Sequence, residues 1–173
     1  MVFEVGMKVV YPSHGVAEVV GREVQAVNGD NQVYLVLSVP QRGWGTRGGM
    51  KVSLPEDRAE DLGVRAAISQ EDAADVLELL ATTDVRVPSN WSRRFKNHQE
   101  KLKSGDVYQC AEVVRNLARR QRTASLSTAE KSMYAHARHI LISELAVSWD
   151  VEDEEAESRV DRALEPVSDA AKA

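Results

Sequence analysis

The sequence predicts an α+β protein in which a small, strongly curved β-sheet precedes a bundle of helices. Two observations carry that expectation. Up to about residue 67 the chain consists of Val-rich runs broken by tight-turn residues, whereas from about residue 68 its apolar residues recur at helical spacing. The 173 residues include 43% hydrophobic and 28% charged residues, enough to bury the core of one or two small domains. The pattern divides the chain into a strand module over 1–67, a helical domain over 68–165 and a frayed tail over 166–173.

The strands come first. MKVVY and GVAEVVGREVQAV are separated by Pro12-Ser13-His14-Gly15, a turn-forming cluster. Asn28-Gly29-Asp30 is a hairpin signal between EVQAV and QVYLVLSV. QRGWGTRGG then reads as a mobile loop, and MKVSLP as a last short strand. Several strands joined by tight turns within so few residues favour a barrel-like sheet.

The helices follow. Ser69 is placed to cap SQEDAADVLELLATT, where Val76, Leu77, Leu79 and Leu80 share a face. Pro88 interrupts the pattern, and NWSRRFKNHQEKLKSG follows as a helix closed by Gly105. Asp106 caps the next, which contains Cys110, expected as a buried structural thiol. Ser127-x-x-Glu130 is a capping box that opens a long helix. Asp150 is expected to cap a final acidic helix, VEDEEAESRVDRAL.

Composition excludes several functions. No apolar run approaches the roughly 18 residues that span a bilayer. The opening MVFEVGMKVVYPSHG lacks a basic region followed by an apolar one, and a single cysteine excludes an internal disulfide framework, so a cytoplasmic monomer without a membrane span is expected. Catalysis needs a constellation, and none is present. RGWGTRGG lacks the lysine-hydroxyl end of a phosphate loop. His136 and His139 sit three apart on one helix with no third metal ligand nearby, and the carboxylates from Glu152 to Glu157 lack the spacing of a calcium loop. No enzyme, metal or cofactor is expected.

Charge is the informative feature. The net charge of −5 conceals a basic segment over 91–138, with 11 Lys and Arg against 4 Asp and Glu, followed by an acidic one over 139–173, with 3 against 10. Trp91 opens the basic segment at the first turn of a helix, next to Arg93, Arg94 and Lys96. A helix N-terminus and guanidinium groups suit phosphate, and an indole can wedge against or stack on a base. Arginine stacked on tryptophan within the protein accounts for the same residues, and chemistry alone leaves both readings open. The strand module has no basic stripe; its sheet edges suit docking by strand addition, with Trp44 and Arg47 in the loop as further contacts.

These residues resemble the CarD/CdnL family of bacterial transcription regulators. FEVGMKVVYPSHGVAEV, YLVL and VSLP are similar to its polymerase-interacting domain; NWSRRFK, KLKSGDVYQCAEVVRNL and LSTAEKSMYAHARHILISELA are similar to its helical DNA-binding domain. The resemblance implies a Tudor-like N-terminal module that docks on the RNA polymerase β subunit. It also implies a helical domain that meets promoter DNA without sequence specificity and stabilises the open complex. In that reading Trp91 wedges into the minor groove at the upstream edge of the bubble, with Arg93, Arg94, Lys96 and Lys131 on the phosphates. On the polymerase-facing strands, Gln25 and Ser53 stand where some relatives carry arginine, with Arg22 and Lys51 as nearby cations. The alternative is a protein–protein adaptor of the same fold with no direct DNA contact.

Overall fold

Asn28 and Gly29 both take positive φ, 54° and 89°, the geometry of the tight hairpin turn whose twist matches its flanking strands. That turn joins β2 (Gly15–Val27) to β3 (Asp30–Val39), the longest pairing in a four-stranded antiparallel sheet. β1 (Lys8–Tyr11) lies outside β2 and β4 (Met50–Pro55) outside β3, so the spatial order follows the chain. The computed structural model describes residues 1–12, 14–40, 49–83 and 85–166. The loop with Trp44 and Arg47, and all but the first residue of the 166–173 tail, lie outside the described residues.

A register shift between Val19 and Gly21 bends β2. The curved sheet closes over Phe3, Val9, Val19, Leu35, Leu37 and Leu54, with Ala59 and Val64 from the chain beyond β4 completing the core. Residues 1–67 form one compact unit, and the chain from Ile68 onward forms a second.

Five helices make up the second unit: α1 (Gln70–Ala81), α2 (Trp91–Lys103), α3 (Val107–Thr123), α4 (Thr128–Trp149) and α5 (Asp153–Leu164). Four are capped by a side chain, three of them (Ser69, Asp106 and Ser127) as expected from sequence and Asn90 in addition. Ser69, Asn90, Asp106 and Ser127 each accept a backbone N–H from the first turn that follows. Asp150 departs from expectation. It takes a left-handed conformation that terminates α4, and Glu152 stands at the start of α5. A short polar residue tolerates that conformation at a helix end, and Val151 N–H closes the turn by donating to the Ala146 carbonyl.

The core of this unit is aliphatic along α1, α3 and α4. Cys110 is part of it: the thiol donates to the Ala137 carbonyl at 3.4 Å, and burial, followed by the nearby Glu144 carboxylate, pushes its pKa up to about 12. Such a thiol is inert at neutral pH. The α2 helix is different, because polar groups line its buried face. His98 is 2% exposed, with Nε2 3.4 Å from Asn116 Nδ2, which donates to it. Lys101 donates to Glu112 on α3.

Burial, then the Lys101 and Arg94 cations, lower the His98 pKa from 6.5 to about 4, against the opposing pull of Glu130. The folded chain therefore holds this ring neutral where the unfolded chain would protonate it. Its contribution to stability is complete above pH 6.5 and is lost as pH falls toward about 4. Denaturant unfolding across that window should show a decline in stability that is shallower in His98→Asn; identical slopes would mean that the imidazole is not held neutral.

Candidate nucleic-acid interface

Two helix N-termini meet at Trp91. The indole occupies the first position of α2, just after the Asn90 cap, and its Nε1–H donates to Ser127 Oγ, the cap of α4, at 3.3 Å. Each N-terminus presents unpaired N–H groups and the positive end of a helix dipole, so the pair forms an anion-favouring corner. One face of the indole lies on Phe95, a turn further along α2, with centroids 5.1 Å apart and planes 11° from parallel. Trp91 is still 44% exposed, a large apolar surface offered to solvent. Arg93 and Lys96 are exposed on α2, and Lys131 is exposed on the first turn of α4. Four of the five residues singled out for DNA are thus exposed on the N-terminal turns of α2 and α4 or, for Lys96, one turn further along α2.

Arg94 is the exception: contrary to the expected phosphate contact, it is buried. Its side chain is 2% exposed and points into the bundle. Nε donates to Glu130 Oε2 at 3.2 Å and a terminal nitrogen to Oε1 at 3.4 Å, while the other donates to the Pro88 and Ser89 carbonyls at 3.4 and 3.1 Å. Four of its five N–H groups are engaged in this way and the side chain is sealed from solvent, so Arg94 is not placed to contact a ligand.

Glu130 is equally buried at 2% and has a second task. Its backbone N–H and one carboxylate oxygen both meet the Ser127 hydroxyl, which also receives the indole N–H. Burial alone would raise the pKa of this carboxyl. The Arg94 hydrogen bond and charge, the backbone bond at Ser127 and the more distant Arg120 together hold it below the usual range. Trp91, Ser127, Glu130 and Arg94 therefore form one hydrogen-bonded chain that fixes the indole on the bundle. Ser127 and Phe95 were not singled out as site residues from sequence. The i, i+4 spacing of Trp91 and Phe95 is the signal for the stack, whereas nothing local announces the bond to Ser127.

In the strand unit the four positions divide between two faces. On β3 the core takes Leu35, Leu37 and Val39, so Gln32, Val36 and Ser38 point the other way. Their register partners Gln25, Ser53 and Lys51 share that outer face, and all three are exposed. Arg22 pairs with Leu35 and belongs to the core-side face. Its guanidinium meets Glu56 Oε1 at 2.9 and 3.0 Å and donates to the Phe3 carbonyl. Arg22 therefore fastens the N-terminal segment to the turn after β4 and does not reinforce Lys51 beside Ser53.

Among the described residues, no group of three or more His, Cys, Asp or Glu side chains is placed to hold a metal, and no helix is long and apolar enough to cross a membrane.

The chain matches known proteins along most of its length. Residues 3–68 match the CarD-like/TRCF RID domain and residues 75–161 the CarD C-terminal domain. The chain belongs to the CarD family, a family of transcription-associated proteins with an RNA-polymerase-interacting module and not a family of enzymes. It is 27% identical over 158 residues to YdeB of Bacillus subtilis (strain 168), named as a candidate transcription factor; the match covers 90% of this chain and 98% of that one. The solution structure of the 72-residue N-terminal domain of Myxococcus xanthus CarD is 30% identical, with 37% of this chain and 77% of that one covered and a TM-score of 0.29.

Glu130→Ala leaves the buried Arg94 charge uncompensated and should destabilise the helical unit by about 3–5 kcal/mol. Arg94→Met combined with Glu130→Leu should cost much less, because both charges leave together. Chemical denaturation of the parent, Arg94→Met, Glu130→Leu and the double variant reads the coupling; additive losses would mean that the pair is not an energetic unit.

Proposed function

We propose that the protein docks on the β subunit of RNA polymerase through residues 1–67 and stabilises the promoter open complex through the Trp91 corner. In this reading the indole wedges into the minor groove at the upstream edge of the bubble. Arg93, Lys96 and Lys131 hold the flanking phosphates, and Arg94 acts from within by fixing the helix that carries the wedge. The observation that carries the reading is an apolar ring, 44% exposed, held between two helix N-termini whose helices also carry the exposed cations Arg93, Lys96 and Lys131. Dipole ends and cations position a backbone without reading its sequence, while an apolar wedge gains most where bases are already parting.

Linkage supplies the mechanism. A factor that binds the melted promoter more tightly than the closed one shifts the equilibrium by that difference, and about 1–3 kcal/mol changes the open fraction roughly 5- to 150-fold. Tethering raises the local concentration of a weak DNA contact, so the helical unit need not hold free DNA. A net charge of −5 with one basic region suits a protein that acts only where polymerase brings it. On the polymerase side, the outer face with Gln25, Lys51 and Ser53 is the candidate docking surface; Arg22 supports the module from behind.

Trp91→Ala should shorten open-complex lifetime about fivefold or more while polymerase binding stays intact. An unchanged lifetime in a competitor-challenge assay would rule out the wedge. A fragment ending at residue 67 should still bind the isolated β-subunit lobe in a pull-down yet fail to prolong the open complex. If it does not bind the lobe, the docking surface lies elsewhere.

A further inference from the structure

The outer face of the sheet holds a glycine that the fold itself does not require. Gly21 lies within β2, just past the bulge; it pairs with Val36 on β3, which pairs in turn with Ser53 on β4. Glycine inside a strand costs backbone entropy and adds no packing, so its presence has a cause in the local structure or outside it. Two local causes are absent. Its φ lies outside the left-handed region, so this is not the kind of bulge that demands glycine. A Cβ built on it would meet no atom of the described residues within 4 Å, so no neighbour in the chain claims the space. Gly63 shows the contrast: its φ is 87°, and a Cβ there would lie 2.7 Å from the Pro12 ring.

The surroundings of Gly21 are apolar. Val20, the extra residue of the bulge beside it, is 38% exposed. Val36 is 7% exposed yet belongs to neither hydrophobic core, and Tyr34, in the next row of the same face, is half-buried. The charged side chains in the neighbouring rows are Lys8, Glu18 and Lys51 on one side and Glu23 on the other, two of each sign. Such a face attracts neither an acidic nor a basic partner, and it leaves its open position to an uncharged one.

We propose that the space over Gly21 receives an apolar side chain of RNA polymerase, packed against Val20 and Val36. The inference rests on the polymerase-docking reading above and narrows it: the outer face is seated by close apolar contact at Gly21, not by a charge pair. Without a Cβ at this position a partner approaches the backbone of β2 directly, and the contact gains buried apolar area at no cost in displaced side chains. The uncharged Gln25 and Ser53 on the same face fit such a surface. The wedge role of Trp91 is not needed for it.

The test measures binding of the full chain to core RNA polymerase, and separately to the isolated β-subunit lobe, by biolayer interferometry. Gly21→Leu should weaken both by about tenfold or more and Gly21→Ala by about threefold, because each fills a space the partner needs. Thermal unfolding midpoints of the two variants should equal or exceed that of the parent, since a strand residue that the backbone accepts has less freedom to lose than glycine. Gly21→Ala keeps the test available should Gly21→Leu fail to fold, because its added Cβ meets nothing in the chain. Midpoints lowered in both variants would show that the glycine serves the fold and overturn the proposal. Equal affinity of the parent and both variants would also overturn it, while leaving the docking reading in place. Binding that falls steeply with added salt would assign the face to charged contacts and overturn the apolar occupant. If the parent binds core polymerase but not the lobe, the β-subunit reading fails alone, and loss of that binding in Gly21→Leu still supports the site. No binding of the parent to either would overturn both.

Discussion

The helical unit depends on one buried ion pair. Arg94 and Glu130 are each 2% exposed, so both charges have left water and the fold must replace their hydration. It does so with geometry: two bonds between the partners, two backbone carbonyls for the other terminal nitrogen of Arg94, and a hydroxyl and a second arginine near Glu130. These contacts tie three pieces of chain together: the start of α2, the segment leading into it and the start of α4. An aliphatic contact could supply comparable stability, but it would not fix the angle at which α2 begins. The pair therefore contributes orientation at least as much as energy, and Trp91 inherits that orientation.

The distribution of charge follows from the same packing. The acidic C-terminal region need not cover the Trp91 corner, because α5 has its own partners. Glu157 and Asp161 pair with Arg138 on α4 at 2.9 and 2.7 Å, and Arg159 lies over the Trp149 ring. Among the described ion pairs, none joins α5 to Arg93, Lys96 or Lys131. The positive corner and the acidic helix thus coexist without neutralising each other, which the net charge of the chain alone would not suggest.

Much of the fold was legible because local chemistry and tertiary packing agree. Asn28-Gly29 demanded a hairpin, and Ser69, Asp106 and Ser127 each announced a helix start that the structure confirms. The errors arose where one residue type serves two ends. Asp150 reads as the start of α5, yet it closes α4 in a left-handed turn; the sequence around it satisfies both roles. The site was half legible. Trp91 and its exposed cations stood out, but composition does not distinguish an arginine that faces solvent from one that faces a buried glutamate. Arg94 lies three residues after Trp91 and four before His98, which places it toward the buried side of α2, and only the distant Glu130 decides between pairing and exposure. Arg22 was misplaced for a related reason. Strand alternation fixes its face only once the bulge at Val19 to Gly21 is counted, and a bulge leaves little trace in sequence.

The stack of Trp91 on Phe95 affects how the surface around it performs. A tryptophan side chain has only two torsions to freeze, and here Phe95 on one side and Ser127 at the ring nitrogen already restrain both. The entropy lost in ordering the ring is settled when the bundle folds, not when a flat partner arrives. Such a preorganised edge should engage and release quickly, with a lifetime set by whatever holds the bundle in place.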